Sequence, residues 1–507
     1  MNLLCLGEFS VDNAPVSRYR SFIRGLQIKE SCKVNDAVAL EDVMLALAMV
    51  GDLSMGQPID QSRRTARLAQ WLAQACGGDR AQIDAARQVA LLRWSGCTAN
   101  ADGFMRLLGD DVGGRRAMLA QTLDAAGQRA MLRTTPLAQV HCEVAGDIAR
   151  TLALGTEVER GLRHIFECFD GSGRPLGLRH PDVPPVVYQV VLAGDLEILS
   201  RAHGLDVALE WIGAQGDRRY PAVLADLLAR HAADWLQALR TPEGVQAASG
   251  AEVPLTLVGD VIDLKLPWLA GYSRQAASLV RDAARLWGLP EARIELLAKA
   301  ALIHGVGRAA VPNRIWSTPG PLLDGDLEAV RLVPYWTHRA CSQIGGLNEA
   351  GQLAAHAYER LDGSGYFRSL SGDALQVEHR LLSAALAWLA LRGERPWRAA
   401  FSDEQAARVL LDEAEQGRFD PRACQAVISA AHGEQAPLAG KPGNGLLSER
   451  ETQILQRISS GASNKEVARD LGISPSTVRT HVESVFRKLQ CSTRAAATLK
   501  ALTLGVI

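Results

Sequence analysis

The sequence predicts an all-α protein, a duplicated helical region followed by a compact four-helix unit. Apolar residues recur at spacings of three and four in Ala- and Leu-rich stretches such as Arg64 to Ala75, Ala277 to Leu286 and Arg380 to Leu391, the period of amphipathic helices. Alternating strand-like runs are scarce. A long segment also occurs twice, so one helical unit is expected in two copies.

Composition bounds the reading. A chain of 507 residues has room for two to four domains of roughly 100–200 residues each. Lys and Arg number 55 against 56 Asp and Glu, for a net charge of −1, so any surface for a polyanion must be local. At 47% hydrophobic and 22% charged residues the chain is globular and not disordered. Its nine cysteines, Cys5, Cys32, Cys76, Cys97, Cys142, Cys168, Cys341, Cys424 and Cys491, form no CxxC pair. They read as reduced thiols of a cytoplasmic protein and not as a disulfide framework or zinc site. Met1 to Arg18 has no basic stretch leading into an apolar one, and no run of about 18 apolar residues occurs. Neither export nor membrane spanning is expected.

Taken in order, residues 1–45 form an extension to which no pattern assigns a role. Residues 46–248 and 252–431 are the two copies. DLSMGQPIDQSRRTARLAQWLAQACGGDRAQIDAARQVALLRWSG from Asp52 lies without gaps over DLKLPWLAGYSRQAASLVRDAARLWGLPEARIELLAKAALIHGVG from Asp263. The match resumes in FECFDGSGR (Phe166 to Arg174) and YERLDGSGY (Tyr358 to Tyr366), with a longer internal segment in the first copy. Convergent Ala-rich helices would not repeat DGSG. Asp170 and Asp362 within it are expected to be turn residues whose side chains cap the loop backbone. Residues 432–445 (HGEQAPLAGKPGNG), with four Gly and two Pro, are a linker, and 446–507 are the carboxy-terminal unit.

The second copy carries ALIHGVGR (Ala301 to Arg308), IWSTPGPL (Ile315 to Leu322), ERLDGSGY (Glu359 to Tyr366) and RPW (Arg395 to Trp397). On these motifs it resembles the HD-GYP branch of the HD phosphohydrolases. The resemblance implies a helical fold. It also implies, in members that are enzymes, two or three metal ions held by His and Asp that activate water against phosphodiesters such as cyclic di-GMP. Here the metal-ligand positions read Tyr272, His304-Gly305, Val333, Ala357-Tyr358 and Leu386, and His304 alone keeps a ligand side chain. The first copy has Gln61, Arg93 and Trp94 at the early positions and Ile165 and Phe166 at the His pair, and keeps His141 and Asp195. One imidazole cannot fix a divalent ion or lower the pKa of its water, so no metal, no cofactor and no catalysis are expected. His304 reads as a hydrogen-bonded core histidine. The family's Lys becomes Arg308 and the Pro of GYP becomes Phe367, departures expected to matter less. The vacated centre, Tyr272, His304, Val333, Tyr358 and Leu386, is a candidate sensory pocket that has either collapsed or come to host an apolar small molecule.

In the carboxy-terminal unit, Ser448 and Glu451 form a capping box, and Ile454, Leu455 and Ile458 a buried stripe. A helix over Asn464 to Leu471 ends at Gly472. Ser474 and Pro475 open the next helix, which turns Val478, Val482, Val485, Phe486 and Leu489 inward. LSERETQIL, GASNKEVARDLGIS, TVRTHV and KLQCSTR look like the LuxR-type helix-turn-helix domain from end to end. Nine Lys and Arg against five Asp and Glu make 446–507 locally basic. The resemblance implies that the third helix enters the major groove of double-stranded DNA, with Arg479, Thr480 and Glu483 as candidates for base edges and Ser463, Lys465, Thr477, His481 and Lys488 for phosphates. The fourth helix, with Ala496, Leu499 and Leu502 on one face, mediates dimerisation in relatives; core packing gives the same stripe.

The expectation is a cytoplasmic, dimeric transcriptional regulator whose inactive HD-GYP-like region senses a small molecule, dimerises, or does both. Contact with RNA polymerase is a further partner of such a regulator. The alternatives are a metal-dependent phosphohydrolase acting on cyclic dinucleotides and a protein-interaction scaffold, the latter because Tyr366 stands where the GYP loop contacts partner domains.

Overall fold

The computed structural model describes residues 36–241, 250–433, 447, 449–503 and 507. Ser448 of the expected capping box and residues 434–445 of the expected linker lie outside the described residues, as do residues 1–35. Among the described residues the strands are Ala37–Ala39 and Glu252–Pro254, three residues each, and helices carry the rest of the regular structure. The chain divides into two compact units, Ala39–Ala251 and a second made of Glu252–Ile507 with the stretch ending at Val38.

The first unit begins earlier than the expected boundary at 45. Its first helix is Leu40–Ser54, because the apolar stripe starts at Leu40 and runs through the buried Val43, Met44 and Leu47, a helical i, i+3, i+4, i+7 spacing. Helix Gln61–Ala75 packs against Arg80–Leu92 and Pro185–His203. In the second unit Tyr272–Trp287 packs against Glu291–Ile303, Val377–Arg392 and Pro421–Ala431, the same arrangement at matching sequence positions. The longer internal segment of the first copy is three short helices, Ala101–Leu108, Asp111–Leu119 and Ala125–Met131.

The duplication is visible atom by atom. Asp52 accepts hydrogen bonds from the amide and hydroxyl of Ser62; Asp263 accepts the same pair from Ser273, at 2.7 and 2.9 Å. Each carboxyl thereby caps the first turn of the central helix of its copy. Burial raises both, Asp52 to about 8 and Asp263 to about 7. Glu167 clamps the amides of Leu176 and Leu178, both at 2.8 Å, as Glu359 clamps those of Arg368 and Leu370 at 2.8 and 3.0 Å. Asp170 and Asp362 accept from the amides of Ser172 and Ser364, at 2.8 and 2.9 Å, the turn expected of them. Gly96 and Gly307 also correspond. A side chain on Gly96 would strike the His141 carbonyl, and one on Gly307 the Val333 carbonyl.

The carboxy-terminal helices are Glu449–Ser459, Asn464–Leu471, Pro475–Lys488 and Arg494–Thr503. Ile454, Leu455, Ile458, Val467, Ala468, Val478, Val482, Val485 and Leu489 form their core, with Phe486 partly buried against it. Gly472 ends the second helix at φ +64°, a left-handed conformation that glycine adopts without strain. Ser474 accepts from the Thr477 amide at 3.1 Å and Pro475 occupies the first turn.

Candidate functional site

In the second copy the centre is organised around Arg308, on the short 3-10 turn Val306–Ala310 that follows helix Glu291–Ile303. His304 is fully buried. Its Nδ1 lies 2.6 Å from the Ala301 carbonyl oxygen, which can only accept, so Nδ1 carries the proton. Its Nε2, 2.7 Å from Arg308 Nη2, faces a group that can only donate, so that lone pair accepts. Burial, followed by the neighbouring guanidinium, holds His304 well below the usual histidine range. Arg308 Nη2 also lies 3.1 Å from the Tyr358 hydroxyl, Nη1 is 3.9 Å from Asp263 Oδ1, and the guanidinium sits 5.2 Å from the centre of the Tyr272 ring. Tyr272 donates to the Leu386 carbonyl at 3.1 Å.

Four of the five residues singled out in the sequence, Tyr272, Val333, Tyr358 and Leu386, line one cavity of about 300 Å³. His304 is not among the lining residues. The centre has therefore not collapsed, and the residue expected to matter less, Arg308, joins its parts. A Lys-to-Arg change reads as conservative, yet only a guanidinium can reach His304, Tyr358 and Asp263 together. Arg395, of the RPW motif, also lines the cavity. Both stand in motifs that carry an arginine and no acid, ALIHGVGR and RPW.

A metal does not fit this donor set. The one imidazole lone pair is bound by a fixed cation, and among the described residues no group of three or more His, Cys, Asp or Glu could hold a metal ion.

The first copy is filled differently. Arg93 is buried and donates to Thr65 at 3.1 Å, and its guanidinium occupies the space a side chain on Gly194 would need. His141 Nε2 bonds the Arg93 carbonyl at 2.7 Å and its ring packs against Phe166 at 4.8 Å; burial lowers it to about 4. Asp195 is ion-paired to Arg219 at 2.9 Å. Gln61 is fully buried and bonds Thr65, and Ile165 is buried. The two retained ligand types thus serve packing and pairing.

On the carboxy-terminal unit, Lys465, Thr477, Arg479, Thr480 and Glu483 are exposed and His481 half-buried. Arg479 pairs with Glu483 one turn on, at 2.9 Å, an exposed pair worth a few tenths of a kcal/mol that readily opens. Two expected phosphate contacts are engaged otherwise. Ser463 caps helix Asn464–Leu471, accepting from the Glu466 amide. Lys488 is bound at 2.6 Å by Glu451, whose carboxylate also takes the Ser484 hydroxyl. A single-sequence reading sees a basic residue at a helix end and cannot see the carboxylate brought to it by another helix. Ala496, Leu499 and Leu502 are buried within the single chain, and helix Arg494–Thr503 packs on helices Glu449–Ser459 and Thr256–Asp263, so the stripe is already covered without a second copy.

Comparison with known proteins assigns the two regions. The HD domain family matches residues 256–423, and the family of bacterial regulatory proteins of the luxR type matches residues 445–501. The chain is similar to the 3'3'-cGAMP-specific phosphodiesterase 3 of Vibrio cholerae, 27% identical over 58% of this chain and 67% of that protein. It is also similar to the cyclic di-GMP phosphodiesterase response regulator RpfG of Xanthomonas campestris, 31% identical over 28% of this chain and 38% of that one. The chain thus spans two thirds of the first relative and well under half of the second. A crystal structure of a cyclic GMP-AMP-specific phosphodiesterase from Vibrio cholerae shares the fold, with a TM-score of 0.55 and 21% identity over 78% of this chain and 98% of that one. The chain accordingly joins an HD domain to a carboxy-terminal DNA-binding domain of the LuxR type.

Proposed function

We propose that the protein is a sequence-specific, DNA-binding transcriptional regulator acting in the cytoplasm, whose HD region does not hydrolyse phosphodiesters and serves sensing, dimerisation or both. The observation that carries the regulator is the LuxR-type unit, with its third helix presenting Arg479, Thr480 and Glu483 to solvent. In this reading those three face base edges in the major groove and Lys465, Thr477 and His481 hold phosphates. No helix among the described residues is long and apolar enough to cross a membrane. The reading of the HD region as non-catalytic is supported by the exchange of its ligand positions and by the bond from Arg308 to the one remaining imidazole.

Selection of duplex DNA from genomic fragments by the purified full-length protein tests the regulator. A paired motif, bound well above random DNA across a salt series, is the expected result and reports dimeric reading. Binding without preference, falling steeply with salt, overturns it.

The phosphodiesterase activity named for its relatives favours a second reading, hydrolysis of a cyclic dinucleotide. Incubation of the full chain with 3'3'-cGAMP or cyclic di-GMP and Mn²⁺, Mg²⁺ or Fe²⁺ distinguishes the two. Intact nucleotide supports the non-catalytic reading, and turnover abolished by chelator overturns it.

A further inference from the structure

The cavity beside Tyr272 has an unbalanced lining. Six arginines face it against one carboxylate, Glu413. Glu413 is held by Arg418, and Arg331 is paired with Glu328. Arg398 is satisfied by backbone carbonyls at the end of helix Val377–Arg392. Arg360 is half-buried, lies over the Phe419 ring and donates to the Glu359 carbonyl at 2.9 Å. Arg308 and Arg395 are different. Both are at least nine-tenths buried. Arg308 Nη1 has no hydrogen-bond partner and its nearest carboxylate oxygen is 3.9 Å away. Arg395 has no carboxylate within ion-pairing distance among the described residues. Its guanidinium lies 4.5 Å from the centre of the Trp268 ring and 5.8 Å from that of Tyr272, and donates to a backbone carbonyl at 3.2 Å.

Two buried cations without a full countercharge are costly unless an anion reaches them. Desolvation first, with repulsion from Arg308 opposing the tyrosine hydroxyls, lowers Arg395 to about 10. Most of the rest of the wall is apolar, with Thr318, Ser364 and Ser383 among it. Ile315, Leu322, Val330 and Val333 line it with Trp316, whose indole N–H is buried without a partner. The volume of about 300 Å³ stands at the lower end of ligand pockets, about 300–1,000 Å³, the size of one or two rings.

We propose that this cavity binds a small organic anion, a carboxylate or phosphate monoester on an aromatic body of one or two rings, with Arg308 and Arg395 receiving the anion and the Trp316 wall the rings. The proposal rests on the sensing role above and adds the class of the ligand. Guanidinium groups suit both anions, because each presents paired oxygens to the planar fork.

Calorimetric titration of the full-length protein tests it with four probes: 1-naphthoate, 1-naphthyl phosphate, uncharged 1-naphthalenemethanol and inorganic phosphate. Either aromatic anion is expected to bind at least tenfold more tightly than the alcohol, and the preference between the two identifies the acid group. Inorganic phosphate is expected not to compete. Arg395→Gln is expected to weaken the anion at least tenfold and leave the alcohol unchanged. Because a buried arginine can also support the fold, Leu322→Trp provides a second variant. It fills the apolar end without touching either guanidinium and is expected to block both anion and alcohol. Equal binding of anion and alcohol, or anion binding indifferent to both variants, overturns the proposal, as does inorganic phosphate binding as tightly as the aromatic anions. Titration of selected DNA with and without the bound anion separates the two readings. Tight anion binding with unchanged DNA affinity leaves the ligand class standing and removes the sensing role; absence of binding by every probe, with DNA recognition intact, removes the ligand class alone.

Discussion

Arg308 Nη2 donates to Nε2 of His304 across 2.7 Å, so a permanent protein cation occupies the imidazole lone pair at the centre of the second copy. Guanidinium does not deprotonate in proteins, and the bond fixes the neutral tautomer of the ring by the same stroke that binds it. Asp263 and the Tyr358 hydroxyl complete the surroundings of Arg308.

Arg308→Lys is expected to destabilise the protein by about 1–3 kcal/mol. An ammonium cannot bridge His304, Tyr358 and the Asp263 side together, and a buried acceptor is left without its donor. Urea unfolding at pH 7 measures the loss, and an unchanged midpoint would contradict the assignment.

His304 predicts a pH dependence. Its folded pKa is held well below the ordinary histidine value of 6.5, so below about pH 6.5 the unfolded chain takes up a proton that the folded chain refuses. Its contribution is therefore present above pH 6.5 and lost as pH falls. Asp263, raised to about 7, acts in the opposite sense, its contribution being lost as pH rises from about 4 towards 7. His304→Gln keeps an acceptor for Arg308 and removes only the titration. Relative to wild type it is expected to reduce the stability lost between pH 7 and pH 5 by about 1–2 kcal/mol, read by chemical denaturation at both values.

Gly307→Ala is expected to cost on the order of 2–4 kcal/mol, because the added methyl would meet the backbone carbonyl of Val333, which cannot swing aside as a side chain can. Gly213→Ala, in helix Leu205–Ala214 with open space around it, is expected to be neutral or to stabilise by about 0.5–1 kcal/mol. Thermal unfolding of the two variants compares them directly.

Arg479→Ala is expected to remove preference for the selected site, a loss of about 1–3 kcal/mol against random DNA. Lys488→Ala is expected to leave both preference and the salt slope nearly unchanged and to lower the stability of the carboxy-terminal unit by less than about 1 kcal/mol, since its partner is Glu451. A salt slope reduced by about one unit for Lys488→Ala would return that residue to the phosphate contacts.

Much of this was legible in the residues. Helical spacing, the DGSG recurrence and the Ser474-Pro475 start each correspond to an element in the structure, since they depend on local chemistry. The stripe that begins at Leu40 was obscured by a boundary placed within it. What the residues alone do not show depends on contacts distant in sequence: Glu451 reaching Lys488 from another helix, helix Arg494–Thr503 packing on helices Glu449–Ser459 and Thr256–Asp263, and Arg308 drawn among His304, Tyr358 and Asp263. The ligand positions could be tallied one by one, but a tally of losses does not reveal that a guanidinium has bound to what remained.

The matching clamps of Asp52 on Ser62 and Asp263 on Ser273 separate the scaffold of each half from the centre it holds. Both halves keep this scaffold bond, yet they keep different members of the ligand set, His141 and Asp195 in one and His304 in the other. The carboxyl that starts the central helix is therefore a demand of the fold in each half, independent of what fills the centre beside it.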